Sequence, residues 1–105
     1  MSDEFLDYVI DRLPLDGIHS RPMFGGHGLY YWGRFFGIVY NSELFFKTDD
    51  ASRPRYESQG MEPFRPQEGQ TLKTFYQVPA EVLESRLTLA DWAEEAARAA
   101  TGDAR

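Results

Sequence analysis

The chain has 105 residues and a formal net charge of −6, and 42% of its residues are hydrophobic. This length predicts one domain, residues 1–105, with a single continuous core. Cysteine is absent, which excludes disulfides, thiolate metal sites and cysteine nucleophiles. The acidic N-terminus lacks the positive charge of a signal peptide, and no apolar run approaches the ~20 residues of a transmembrane helix. We therefore expect a cytoplasmic protein with no membrane contact.

The charge is distributed unevenly along the chain. Residues 1–16 and 81–105 carry net charges of −4 and −3, whereas residues 17–80 carry +1. Binding to DNA needs a basic footprint that neutralises phosphates. Direct DNA binding is therefore not expected, although the arginine-containing centre could make a local contact.

The first half of the chain predicts a helix followed by a meander of strands. Apolar residues recur at helical spacing over Ser2–Leu13, and Pro14 and Gly17 end this helix. Aromatic and β-branched runs then predict four strands, over Ile18–Phe24, Leu29–Trp32, Phe35–Tyr40 and Leu44–Thr48. The segments between them are too short for crossover helices, so neighbouring strands should be antiparallel.

The second half predicts a helix over Ala51–Gln59, a fifth strand over Thr74–Val78, and a helical tail from Pro79 that breaks near Ser85–Thr88. Three breakers, Pro63, Pro66 and Gly69, predict a loop over Glu62–Leu72. Residues 101–105 are expected to fray. The element order predicts an α+β fold, in which an antiparallel sheet of about five strands packs against N-terminal, middle and C-terminal helices.

A glycine-rich segment contains Gly25, Gly26 and Gly28 and could cradle a phosphate. Phosphate loops open a helix, whereas the residues after Gly28 predict a strand. We therefore interpret the segment as a structural hairpin turn or bulge, with a ligand contact as the alternative. His19 and His27 lack the spacing of metal ligands, and no serine lies in a nucleophile elbow. Accordingly, no metal, no cofactor and no catalytic residue is predicted.

Basic side chains accompany the aromatic strands of the centre. Strand alternation places Arg21 on the same face as His19 and Met23, and Lys47 on the same face as Phe45. Such residues form either a solvated sheet face or a cationic surface that binds a protein partner.

Aromatic residues crowd two neighbouring strands: Tyr30, Tyr31, Trp32, Phe35 and Phe36. They cannot all enter one core, because neighbours in a strand point to opposite faces. Helices can cover only one face of the sheet. The aromatics of the other face must be covered by a partner, by a second copy of the chain, or by the loop around Phe64.

Several short motifs together resemble the TfoX N-terminal domain family, known from the TfoX/Sxy regulators of natural competence. They are Arg21-Pro22-Met23-Phe24-Gly25-Gly26, Gly28-Leu29-Tyr30, Phe46-Lys47, Gly60 with Pro63-Phe64, Tyr76-x-Val78-Pro79, and Trp92. The resemblance implies an α+β sandwich grouped with secretion-chaperone-like domains, with no cofactor and no established catalytic residues. In the full-length regulators, which also carry a C-terminal helical domain, it implies coactivation of competence genes together with the cyclic AMP receptor protein.

The sequence and the resemblance together predict a non-enzymatic bacterial regulatory module that contacts another protein, such as a component of the transcription machinery. The residues predicted to make that contact are Arg21, Met23, Phe24 and Lys47. A homodimer is compatible with the surplus of sheet aromatics. The alternative is a small-molecule or anion-binding domain that uses the Gly25–Gly28 turn and nearby arginines.

Overall fold

The structure is a computed structural model that describes residues 4–13, 16–23, 25–67 and 70–102. Its elements in chain order are α1 (Glu4–Arg12), β1 (Ile18–Met23), β2 (Gly26–Tyr31), β3 (Arg34–Tyr40), β4 (Glu43–Lys47), α2 (Arg53–Ser58), β5 (Pro63–Gln67), β6 (Gln70–Gln77), α3 (Ala80–Glu84) and α4 (Arg86–Gly102). Residues 1–3, which include the start of the helix predicted over Ser2–Leu13, and most of the segment predicted to fray lie outside the described residues.

The described strands form one six-stranded sheet in the order β1-β2-β3-β4-β6-β5, and all pairs are antiparallel. The first four strands make the predicted meander. Two of its hairpin turns, Trp32-Gly33 and Asn41-Ser42, have a positive φ at both central residues. This is the type I′ geometry, whose twist matches that of the strands it connects. The α+β prediction is confirmed, with one strand more than expected.

The extra strand comes from the segment that the breakers predict to be a loop. Within Glu62–Leu72, β5 spans Pro63–Gln67 and β6 begins at Gln70, so the loop prediction is wrong. Prolines disfavour a strand in the middle of a sheet, because proline has no backbone N–H to donate to a neighbouring strand. At the edge, where β5 lies, the missing N–H costs little.

The helices pack on one face of the sheet and enclose the larger core. On α4, Leu89, Trp92 and Ala96 recur at helical spacing and are buried in the same cluster as Val9 of α1 and Phe46 of β4. The predicted break in the helical tail separates α3 from α4 at Ser85. There the side chain of Ser85 accepts a hydrogen bond from the backbone N–H of Thr88 at 3.3 Å, which caps α4. No helix in the described ranges is long and apolar enough to cross a membrane.

A second, smaller hydrophobic cluster lies on the opposite face, which we call the helix-free face. Its buried members are Ile38, Phe45, Phe64 and Phe75. The ring centroid of Phe64 lies 4.8 Å from that of Phe45 and 5.2 Å from that of Tyr40. The segment around Phe64 therefore closes this half of the face with the chain's own residues, as one of the alternatives anticipated.

Candidate interaction surface

Three of the four residues predicted to contact a partner share the helix-free face. In the sheet register Arg21 lies opposite Gly28 and Met23 lies opposite Gly26. Lys47 lies opposite Phe75, a member of the cluster on this face. The shared side of Arg21 and Met23 is the one that strand alternation predicts. The fourth residue, Phe24, lies outside the described residues.

A continuous line of ring contacts joins the two basic residues of this face. The Arg21 guanidinium carbon lies 5.3 Å from the ring centroid of Tyr30. Tyr30 stacks on Phe35 at 5.2 Å, and Phe35 lies 4.7 Å from Phe75. At the far end, Lys47 Nζ lies 5.5 Å from the Phe75 centroid. We call these five residues the cation–aromatic row.

The row is open to solvent at one end and buried at the other. Phe75 is only 5% exposed, whereas Tyr30 and Phe35 are half-buried and Arg21 is exposed. Lys47 Nζ also donates a long hydrogen bond of 3.4 Å to Thr74 Oγ1. A cation over an aromatic ring contributes about 0.5–1 kcal/mol at an exposed site, such as that of Arg21 over Tyr30. The contacts therefore hold both cations over aromatic rings of this face.

Met23 and the glycines of β2 shape the floor of the same surface. A Cβ on Gly28 would lie 2.9 Å from both Sδ and Cε of Met23, and a Cβ on Gly26 would lie 2.3 Å from the carbonyl oxygen of Val39. Both positions are within β2, so the predicted Gly25–Gly28 turn is shorter than expected. Of these three glycines only Gly25 has a positive φ, +81°. Close packing therefore explains why glycine occupies positions 26 and 28, and no bound ligand is needed to account for it.

The three aromatic members of the row were not identified as site residues from the sequence. In the β2–β3 register Leu29 pairs with Gly37 and Tyr30 with Phe35, so Phe36 is an extra residue in a β-bulge. The bulge turns Phe35 to the helix-free face and Phe36 into the main core. An isolated glycine within a strand, here Gly37, is the sequence signal that could have indicated this bulge.

A surface cleft of about 370 Å³ lies beside Lys47, where β4 leads into α2. It is lined by Lys47, Thr48, Asp49, Asp50, Arg53, Thr74, Arg98 and Ala99. Asp50 pairs with Arg53 at 3.0 Å. Asp49 accepts hydrogen bonds from the backbone N–H groups of Ser52 and Ala51, and these, with the Ser52 bond foremost, lower the pKa of Asp49. The cleft therefore carries its own counter-charges, and Gly25, Gly26 and Gly28 do not line it.

The histidines do not form a metal site with neighbouring acids. Within the described part of the chain, no group of three or more His, Asp or Glu side chains is placed to hold a metal ion. His19 lies opposite Tyr30 on the helix-free face, two residues before Arg21, and is exposed. It therefore adds a further polar side chain to the interaction surface.

Comparison with known proteins identifies the family. The model of the TfoX N-terminal domain matches residues 12–100, most of the chain. The chain belongs to this family, as its motifs indicated, and the family is a regulatory and interaction family rather than a known enzyme family. The comparison with curated proteins gave no match.

Proposed function

We propose that this TfoX N-terminal domain is a non-enzymatic bacterial regulatory module that binds a protein partner through its helix-free sheet face. The observation that carries the proposal is the position of Arg21, Met23 and Lys47. Residues from β1 and β4, far apart in sequence, lie on one face around a shared line of aromatic rings.

The composition of this face supports protein binding. Protein interfaces are enriched in aromatic residues, Met and Arg, and their centres are depleted of charge. Here Met23, Tyr30 and Phe35 are half-buried in the free protein, so each retains surface that a partner could cover. Arg21 stands at the exposed end with its guanidinium already oriented over Tyr30. A pre-oriented arginine loses less side-chain entropy when it binds.

Family membership supports the regulatory part of the proposal. The family is known from regulators of competence, so a component of the transcription machinery is the partner we propose. In this role the domain would act in the cytoplasm as an adaptor that brings the partner into position. Direct contact with DNA is not required, which suits a chain with a net charge of −6.

The test is affinity capture from a lysate of the native bacterium, comparing the wild-type domain with Arg21→Glu. Arg86→Glu is the matched control, because Arg86 is also exposed but lies on the helix side, 3.8 Å from Asp11. We expect a transcription regulator or polymerase subunit to bind wild type and Arg86→Glu and to be lost from Arg21→Glu. Capture that Arg21→Glu leaves intact, or no captured protein at all, would contradict the proposal.

A further inference from the structure

Charge is segregated between the two layers of the fold. Among the described residues, the six strands contain five basic and one acidic side chain, a net charge of +4. The four helices contain nine acidic and five basic side chains, a net charge of −4. The overall charge of −6 therefore conceals a sheet whose own charge, summed over both of its faces, is positive.

The basic residues of the helix-free face have no acidic partner within the described part of the chain. Arg21 and Lys47 are absent from the ion pairs of these residues. In contrast, both arginines of α2 are paired with carboxylates: Arg53 with Asp50, and Arg55 with Asp91 and Glu95. The sheet face thus offers positive charge that the protein itself does not neutralise.

The cation–aromatic row is better suited to bind carboxylates than to stack nucleic acid bases. A single-stranded nucleic acid is held largely by bases that stack on open aromatic faces. Here the cation of Arg21 lies over Tyr30, that of Lys47 lies over Phe75, and Phe75 is almost fully buried. The two cations occupy the ring faces on which a nucleic acid base would stack. We therefore expect a ligand to bind through anionic groups that pair with the cations.

A second copy of the chain is a poorer occupant. The negative layer of one molecule could dock on the positive face of another, but this contact joins two different surfaces. Such head-to-tail contacts leave a free copy of each surface at the ends and grow into open chains unless the rotation closes a ring. A different protein meets the charge requirement without polymerisation.

From these observations we infer that the helix-free face binds an extended acidic segment of the partner protein; this inference rests on the proposed function. Alternate side chains of an extended segment point to the same side, so successive carboxylates can reach the basic residues of the row. The planar guanidinium of Arg21 can accept a carboxylate in a bidentate pair. Apolar groups between the carboxylates would cover Met23 and Phe35.

Fluorescence anisotropy with labelled poly-L-glutamate tests the inference on the full chain. Oligothymidylate and poly-L-lysine are the comparison ligands, and circular dichroism verifies that each variant is folded. We expect poly-L-glutamate to bind in preference to both, with an affinity that falls as salt is added. The double variant Arg21→Gln/Lys47→Gln should weaken binding about tenfold, because each exposed ion pair contributes modestly. Arg86→Gln, on the helix side, should leave binding unchanged.

Three results would overturn the inference: no binding of poly-L-glutamate, equal losses in the Arg86→Gln control, or tighter binding of oligothymidylate. Self-association that competes with poly-L-glutamate for the same face, seen by sedimentation, would also count against it. These results leave the proposed function standing if the captured partner still depends on Arg21. Loss of that dependence contradicts the proposed function itself.

Discussion

Tyr56 is 1% exposed and packs 4.6 Å from Trp92, yet its hydroxyl has no hydrogen-bond acceptor among the described residues. An unsatisfied buried polar group costs about 1–3 kcal/mol. Burial raises the pKa of Tyr56 far above its ordinary value, with the nearby Arg55 cation opposing the rise and Glu95 adding to it. The ring of Tyr56 therefore stabilises the core, while its hydroxyl does not.

Tyr56→Phe should leave the free energy of unfolding at neutral pH unchanged or raise it by about 1 kcal/mol, because it removes an unpaired hydroxyl and keeps the ring. The pH dependence is a sharper test. Above about pH 10 the unfolded chain loses the Tyr56 proton while the folded protein keeps it, so wild-type stability falls by up to about 1.4 kcal/mol per pH unit. Tyr56→Phe should remove this part of the fall.

Denaturant unfolding at a series of alkaline pH values measures the effect. Tyr8→Phe is the control, because Tyr8 is 41% exposed and its substitution removes a hydroxyl from the surface rather than from the core. The interpretation fails if Tyr56→Phe and Tyr8→Phe show the same pH dependence as wild type.

At the scale of single elements, periodicity and turn residues predicted the helices and the β1–β4 meander, because each of these signals is local. The same rules missed β5, since Pro63 and Pro66 are compatible with a strand only at a sheet edge. Which strand lies at the edge depends on how β6 pairs with β4, a contact between residues about thirty positions apart. A local pattern carries no information about that pairing.

The two glycines of β2 allow a specific prediction about the stability of this strand. Gly26→Ala would push a Cβ against the carbonyl oxygen of Val39, a backbone atom that cannot move without breaking the β2–β3 pairing. Gly28→Ala would meet the flexible end of Met23, which can shift. We expect Gly26→Ala to destabilise the fold by about 3 kcal/mol or more and Gly28→Ala by about 1 kcal/mol.

Chemical denaturation of the two variants beside wild type checks this order. Equal costs at the two positions, or a larger cost at Gly28, would show that the close approach of β2 to β3 does not set the requirement for glycine. A Gly28→Ala variant that folds also reports on the surface, since it displaces Met23 without altering a charge.

At the scale of the whole molecule, the fold separates a helix layer of net negative charge from a sheet with a positive, partly aromatic face. The shared side of Arg21 and Met23 follows from alternation within β1, so the sequence was sufficient to predict it. The link between Arg21 and Lys47 was not predictable, because it requires both the bulge at Phe36 and the β4–β6 pairing. Closure by Phe64 covers Phe45, so the aromatic surface that stays open lies towards β1, while Lys47 on β4 remains half-buried.

Site-specific photo-crosslinking in living cells of the native bacterium tests most directly whether a partner binds the helix-free face. We would place p-benzoylphenylalanine at His19, which is exposed beside Arg21, and as the control at Leu87, which is 87% exposed on α4. We predict a crosslinked adduct with another protein from position 19 and none from position 87. An adduct only from position 87, or equal adducts from both, would contradict binding at the helix-free face.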